Sequence, residues 1–174
     1  MKKLFIITAL FLTSITQCQI TSNTISEVEY NNIEINGIKL KDFKATEGNE
    51  LKIKNLISKP ILEKDINTGE RGPSNYWFKY NGFEIAFTDN SGTPDHPGIA
   101  MFRITNNNWN IKIKGTTISV GDNISKLGSV TINTNRDSSK SIIYQYCDGC
   151  NNFIYIDFDK TTNRIIEIGF IEQT

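Results

Sequence analysis

Two cysteines three residues apart form the motif with the clearest chemical potential. Cys147 and Cys150 enclose the dipeptide Asp-Gly. A redox-active pair of this spacing normally follows a strand and precedes a helix, whose N-terminus stabilises the thiolate. Here the alternating segments 144–146 and 153–156 predict strands on both sides and a turn between them. We therefore predict a Cys147–Cys150 disulfide that closes a turn in an oxidising compartment. Redox chemistry and a zinc site are the alternatives.

Other candidates for chemistry are few. His96 is the only histidine, and next to Asp95 it could act as a general base. Its segment 93–98 contains two prolines and a glycine, which predicts a rigid surface turn. Asp157 and Asp159 are expected on one strand face, where they could hold a cation weakly, although a solvated strand end is the simpler interpretation. The sequence thus predicts no catalytic residue, no metal site and no cofactor.

Composition limits the classes of function. The chain has 174 residues, of which 38% are hydrophobic, with 19 basic and 19 acidic side chains. That length suits one domain, and the hydrophobic fraction is too high for a disordered chain. A protein that binds nucleic acid would need a basic surface, which a net charge of zero does not favour. We expect no nucleic-acid partner.

The N-terminus has the pattern of a secretory signal peptide. Lys2 and Lys3 precede an apolar run over 4–12, which is shorter than the roughly 20 residues of a membrane span. We assign residues 1–18 to the signal peptide. Its removal takes away two lysines and no acid, so the mature chain carries 17 basic and 19 acidic residues, a net charge of −2.

Two cleavage chemistries are open at the end of this segment. The run 15–18 resembles a bacterial lipobox, in which Cys18 would be acylated and become the new N-terminus. Gln17 departs from that pattern, because a small residue normally precedes the cysteine. The alternative is ordinary cleavage close to Cys18. In the first case lipid would tether the domain to a membrane, and the polar segment 19–27 is predicted to be a flexible leash.

An internal repeat is the most informative feature of the chain. The segment 32–37 returns as 110–115, 78 residues later, with four of six positions identical. Each copy predicts a hairpin, followed by a short helix and three strands; Asn49 caps and Pro60 ends the first helix. We predict an α+β fold, mostly antiparallel sheet, built from two similar halves with one short helix each. The halves are 28–105 and 106–174, joined in one compact unit.

Two short segments carry a resemblance to a known family. The run Val120–Gly128 is similar to the "apolar-Gly-x-polar…Leu-Gly" helix of small tandem α/β modules, and Leu56–Pro60 is similar to the end of that helix. The family includes the β-lactamase inhibitor protein and small lipoproteins of outer-membrane assembly. The resemblance implies a sheet whose open face binds other proteins. Some small exported proteins of this type act as immunity factors against secreted toxins.

Tryptophans supply the candidates for partner binding. Trp77 falls on the strand face opposite Phe78, and Lys79 shares the face of Trp77. Trp109 follows a run of three asparagines. Exposed tryptophan is typical of protein interfaces, so we select Trp77, Lys79 and Trp109. The alternative for Trp77 is that the predicted loop 61–75 or the other half covers it.

These observations favour an exported, non-enzymatic domain that binds a protein, as an inhibitor or an immunity factor. An alternative is a membrane-anchored envelope lipoprotein with a structural or assembly role. Another is a small hydrolase or a thiol-redox protein. The expected location is the periplasm or the envelope membrane, with secretion as a further option. A membrane contact is expected only through lipid on Cys18.

Overall fold

Two sheets, antiparallel except where β1 pairs with β11, and three short helices make up most of the described chain. The structure is a computed structural model that describes residues 22–67, 75–88, 98–135, 139–147 and 152–172. The helices are α1 (Glu27–Asn31), α2 (Leu40–Lys44) and α3 (Glu50–Ile57), with a 3₁₀ turn at Ile124–Leu127. The strands are β1 (Asn23–Thr24), β2 (Glu34–Ile35), β3 (Ile38–Lys39), β4 (Glu63–Asn67), β5 (Asn75–Tyr80), β6 (Phe83–Thr88), β7 (Gly98–Ile104), β8 (Asn110–Ile113), β9 (Thr116–Ser119), β10 (Ile132–Thr134), β11 (Lys140–Gln145), β12 (Asn152–Phe158) and β13 (Ile165–Glu172).

The small sheet joins the two repeated hairpins. Its order is β3-β2-β8-β9. Each hairpin turns through two residues with positive φ, which are Asn36 (48°) with Gly37 (80°) and Lys114 (50°) with Gly115 (80°). This is the geometry of a type I′ turn. Glu34 pairs directly with Lys112, its equivalent 78 residues later, so the halves meet around an approximate two-fold axis.

The large sheet repeats this symmetry. Strands β4 to β7 form one antiparallel meander and β10 to β13 form another. The meanders join through β7 and β13, where Phe102 lies directly opposite Phe170. Their rings stack with centroids 5.6 Å apart. The order of hairpin, helical segment and four strands therefore occurs twice in the described chain.

The core lies between the large sheet on one side and the helices and small sheet on the other. Cross-strand neighbours form two continuous buried rows: Phe78, Ile85, Phe102, Phe170, Ile154 and Tyr144, and then Tyr80, Phe83, Ile104, Ile168, Ile156 and Ile142. Residues of both rows belong to one cluster with buried side chains of the helices, such as Phe43 and Ile53. Both halves thus share a single core.

Local sequence explains the helix ends. Ser26 and Glu29 form a reciprocal capping box at α1, and the Asn49 side chain accepts from the backbone N of Lys52 at α3. Ser58 takes the left-handed conformation that ends α3, two residues before Pro60. The helix predicted between Asn49 and Pro60 is present. None of the described helices has the length and apolar character needed to cross a membrane.

The predicted fold class, mostly antiparallel α+β with few short helices, is confirmed. The first half carries three helices rather than one, and the second carries a single 3₁₀ turn. Each half contributes four strands to the large sheet rather than three. The predicted leash 19–27 also needs correction, because Asn23–Thr24 pairs with β11 and α1 begins at Glu27. Residues 19–21 lie outside the described part.

Candidate partner-binding surface

An apolar row crosses the face of the large sheet that points away from the core. Strand register places its members directly opposite one another on five adjacent strands: Trp77, Ala86, Met101, Ile171 and Phe153. We call these five residues the apolar row. With about 4.8 Å between strands, the row is about 19 Å long. All but Ala86 are partly exposed, and the row draws on both halves.

A polar row runs beside it. We define the polar row as Lys79, Glu84, Arg103 and Tyr155, which register places across strands β5, β6, β7 and β12. The Arg103 guanidinium donates to the Glu84 carboxylate, and its Nη1 lies 4.0 Å from Glu167. Tyr155 Oη donates to Glu167 Oε1 at 2.8 Å.

These ion pairs orient the polar row more than they stabilise the fold. The side chains of Arg103 and Lys79 are more than two-fifths exposed, and Lys79 Nζ lies 3.0 Å from Glu63. Pairs this exposed typically contribute no more than about 1 kcal/mol. Their effect is to hold Arg103 between two carboxylates across the seam. The seam is the junction of β7 with β13, where the two halves meet. The surface therefore presents a fixed pattern of charge.

A glycine allows Tyr155 to lie flat on the sheet. A Cβ on Gly169 would come within 2.3 to 2.5 Å of the Tyr155 ring atoms. The ring therefore covers β13 at the seam. Burial, and then the hydrogen bond to Glu167, raise the pKa of Tyr155 above its ordinary value of 10.0. The phenol stays protonated near neutral pH and keeps donating to Glu167.

The outer face of the large sheet is acidic. Its described ionisable side chains with formal charge at neutral pH are five acids and two bases: Glu63, Asp65, Glu84, Asp157 and Glu167 against Lys79 and Arg103. The formal charge of these residues is therefore −3. An acidic face that contains an apolar row is complementary to a partner with apolar and basic side chains.

Two of the three predicted partner-binding residues lie on this face. Trp77 belongs to the apolar row, and Lys79 Nζ sits 6.0 Å from the centre of its ring. The predicted loop over 61–75 is wrong in part, because β4 forms at Glu63–Asn67 and pairs with β5 in the plane of the sheet. An added strand extends the sheet sideways and leaves the face of Trp77 uncovered by β4.

The prediction for Trp109 is wrong. Its side chain is only 1% exposed and stacks on Phe83 with ring centroids 4.4 Å apart. Its Nε1 donates to the backbone carbonyl of Asn81 at 2.8 Å, and Lys59 Nζ lies over the ring at 4.1 Å. The polar asparagines before it form an exposed turn, while the indole folds back into the core. Trp109 is therefore a structural residue.

Most of the other candidates for chemistry lie outside the described residues. Cys147 follows β11, while Cys18, Cys150 and His96 lie outside the described residues, so the disulfide and the lipid remain predictions. In the part of the chain that is described, no three of His, Cys, Asp and Glu cluster as metal ligands.

The predicted pairing of Asp157 with Asp159 needs correction. Asp157 faces outward from β12 opposite Glu167, but Asp159 lies beyond the strand. Its Oδ1 accepts from the backbone N of Thr161 and Thr162, at 2.9 and 2.7 Å. These hydrogen bonds hold the pKa of Asp159 below its ordinary value. The carboxylate stabilises a turn and does not share the face of Asp157.

Sequence reasoning missed most of the apolar row. Met101, Ile171 and Phe153 each sit one position out of phase with a buried residue of the same strand. That alternation was visible, but nothing in the sequence shows which strands lie side by side. Only the pairing of β7 with β13 connects Met101 of the first half to Ile171 of the second.

Comparisons with known proteins add little. No protein-family model and no curated protein matches the chain. Among solved structures, a cysteine-rich secretory protein from Staphylococcus aureus is similar with a TM-score of 0.37 and 11% sequence identity, over 70% of this chain. The match spans 41% of that chain's length. A likeness of this size carries no argument about fold or function.

Proposed function

We propose that this chain is an exported, non-enzymatic protein that binds a protein partner on the outer face of its large sheet. The supporting observation is the apolar row, which places partly exposed Trp77, Met101, Phe153 and Ile171 side by side. Aromatic and methionine side chains are enriched in protein interfaces. Here they lie on a face that the core does not use.

The pattern of charge favours a basic partner. The apolar row lies between Asp65 at one end of the sheet and the network of Glu84, Arg103 and Glu167 beside it. A partner that buries the row would meet this acidic surround, so basic side chains at its rim would speed association and exclude acidic competitors. An inhibitor or immunity factor acts in this way.

Variant-dependent capture tests this proposal. The mature domain, immobilised and exposed to envelope and secreted proteins of its source cell, is compared with Met101→Glu. The control is Val28→Glu, because Val28 is 70% exposed on α1, outside the outer face. We expect a basic protein retained by wild type and Val28→Glu but at least tenfold less by Met101→Glu. Equal retention by all three, or none, would contradict the proposal.

Anchoring in the envelope is a second candidate, supported by the position of β1. Asn23 is fixed to the sheet by hydrogen bonds to Thr131 and Ile143. Asn23 lies five positions after Cys18, a distance that an extended chain spans in about 17 Å. A lipid on Cys18 would therefore hold the domain against the membrane. Metabolic labelling with a radioactive fatty acid, lost in Cys18→Ala, is the expected result, and absence of label in wild type would exclude the anchor.

A further inference from the structure

Among the strands that the structure describes, one end of the large sheet has an open edge. Strand β4 is the last strand in the sheet order and, among the described strands, pairs with β5 alone. All five of its residues are exposed. Along residues 63–66, the second edge of β4 has no strand partner in the described chain and presents backbone N–H and C=O groups of the kind to which another strand can bond.

The opposite end of the sheet is already covered by added strands. Strand β11 pairs with β10 over one part of its length and, in parallel, with β1 over the next. The Asn23 side chain bonds to β11 and to the residue just before β10. Its Nδ2 donates to the carbonyls of Ile143 and Thr131 at 3.0 and 3.1 Å. The molecule thus completes one edge with an extended segment from elsewhere in its chain.

The side chains of β4 differ between its two faces. Glu63 and Asp65 point to the outer face, since they pair with Lys79 and Trp77. On the core side, Ile66 is 39% exposed, and Leu62, just before the strand, is 59% exposed. A segment lying beside β4 would contact acids on one face and apolar side chains on the other.

Lysine on an edge strand often discourages pairing with another strand. The lysine of β4 instead makes an ion pair with the helix layer. Lys64 Nζ lies 2.6 Å from Glu50 Oε2 on α3. The same carboxylate group also pairs with Lys54 at 2.6 Å, and these two lysines lower the pKa of Glu50. The ammonium of Lys64 therefore points toward the helix layer, and its charge is offset in part, because Glu50 serves two lysines.

We propose that the open edge of β4 accepts an extended segment of a partner protein in which basic and apolar residues alternate. Backbone hydrogen bonds would supply affinity, and the alternation would supply selectivity. Basic side chains would face Glu63 and Asp65, while apolar ones would cover Leu62 and Ile66. This edge lies outside the apolar row, so the inference goes beyond the proposed function and does not depend on it.

A synthetic peptide tests the edge directly. The probe is Lys-Val-Lys-Val-Lys-Val-Lys-Val-Lys, with both ends blocked, added to the ¹⁵N-labelled mature domain at low salt. We expect saturable shifts of the amides of β4. A peptide of five lysines followed by four valines, and one methylated at every backbone nitrogen, should each bind at least tenfold more weakly. Equal affinity of all three, no binding of the probe, or shifts centred elsewhere would overturn the proposal.

Charge reversal separates this site from general attraction to an acidic protein. Asp65→Lys should weaken binding of the alternating peptide about five- to tenfold, because it places a cation beside the lysines of the probe. Asp42→Lys changes net charge equally on α2, where Asp42 is exposed, and should leave affinity within twofold. Equal weakening by both variants would contradict docking at β4. That result would leave the proposal for the apolar row untouched, since Met101→Glu tests it separately.

Discussion

The two halves are alike on the core side of the large sheet and differ on its outer side. Counted inward from β5 and from β11 to the junction of β7 and β13, one buried row contains Phe78, Ile85 and Phe102 in the first half and Tyr144, Ile154 and Phe170 in the second. Each set is an aromatic residue, an isoleucine and a phenylalanine. The outward neighbours are Trp77, Ala86 and Met101 in the first half but Ile143, Tyr155 and Gly169 in the second.

The buried positions thus form a scaffold common to both halves, and the outward positions form a surface that differs between them. Close packing restricts volume and shape at buried positions, which keeps equivalent residues similar. Outward positions do not pack into the shared core, and here they combine into one asymmetric surface with Arg103 and Tyr155 on either side of the seam. The proposed binding face is therefore a property of the joined halves rather than of either half alone.

The helical segments show a second difference. In the first half α3 has eight residues and buries Ile53 and Ile57, whereas the 3₁₀ turn at Ile124–Leu127 buries no residue fully. Beside that turn lies an open depression of about 740 Å³ lined by Ile124, Val130 and their neighbours. The second half depends more on its strands and on β1 from the N-terminal segment.

The largest expected effect is at the seam. Phe102→Ala and Phe170→Ala each remove a buried ring from the stacked pair, and we expect each to lower the free energy of unfolding by about 3–5 kcal/mol. The two-fold relation predicts similar losses. Urea unfolding measures them, with Met101→Ala on the outer face as the control. If either seam variant lost no more free energy of unfolding than Met101→Ala, the result would contradict a shared core in which the halves are alike.

Gly169→Ala tests the asymmetry of the outer face. The new methyl group would collide with the Tyr155 ring, so we expect a loss of about 1–3 kcal/mol in the free energy of unfolding. In a Tyr155→Ala background the same change should cost much less. Thermal denaturation of the two single variants and the double variant measures this coupling, and additive losses would show that the ring does not cover Gly169.

A smaller effect is expected at the helix caps. Asn49→Ala removes the side-chain acceptor for Lys52 N at α3, and we expect a loss of about 1 kcal/mol. Asn123→Ala removes the equivalent acceptor for Ser125 N at the 3₁₀ turn. Because that turn buries no residue fully, Asn123→Ala should lower the free energy of unfolding by less than Asn49→Ala does. Denaturant titration of the two variants ranks the caps, and the reverse order would contradict this view of the halves.

The smallest effect concerns acid. Hydrogen bonding to Lys126 and Ser119 holds the pKa of Asp122 below its ordinary value of 3.8. A carboxyl with a depressed folded-state pKa stabilises the protein above its unfolded-state value, and this contribution is lost as pH falls through the folded-state value. Asp122→Asn should therefore be less stable than wild type at pH 6, with the difference shrinking below pH 4. A difference that does not change with pH would exclude this account.

Much of the fold follows from local sequence. The glycine turns of both hairpins and the cap and stop of α3 at Asn49 and Pro60 were predictable, because each depends on residues a few positions apart. Strand β4 was not, since its charged residues lack alternation and its pairing with β5 stabilises it. The pairing of β7 with β13 was not predictable either, because it joins residues far apart in sequence.

The candidate surface was predictable only in part. Period-two alternation placed Trp77 and Lys79 away from the core, and the structure agrees. No such evidence was available for Trp109, because a tryptophan after a polar turn has no strand phase to assign its face. Its burial depends on contacts with Phe83 and Asn81, which only the assembled fold provides.

Site-specific photo-crosslinking tests the central claim most directly. A benzophenone amino acid at Phe153, in the apolar row, is compared with the same group at Val28 on α1, in the intact protein in its source cell. We predict a discrete adduct with one basic protein from position 153 and none from position 28. Adducts of equal yield at both positions, or none at 153, would contradict a binding role for the outer face.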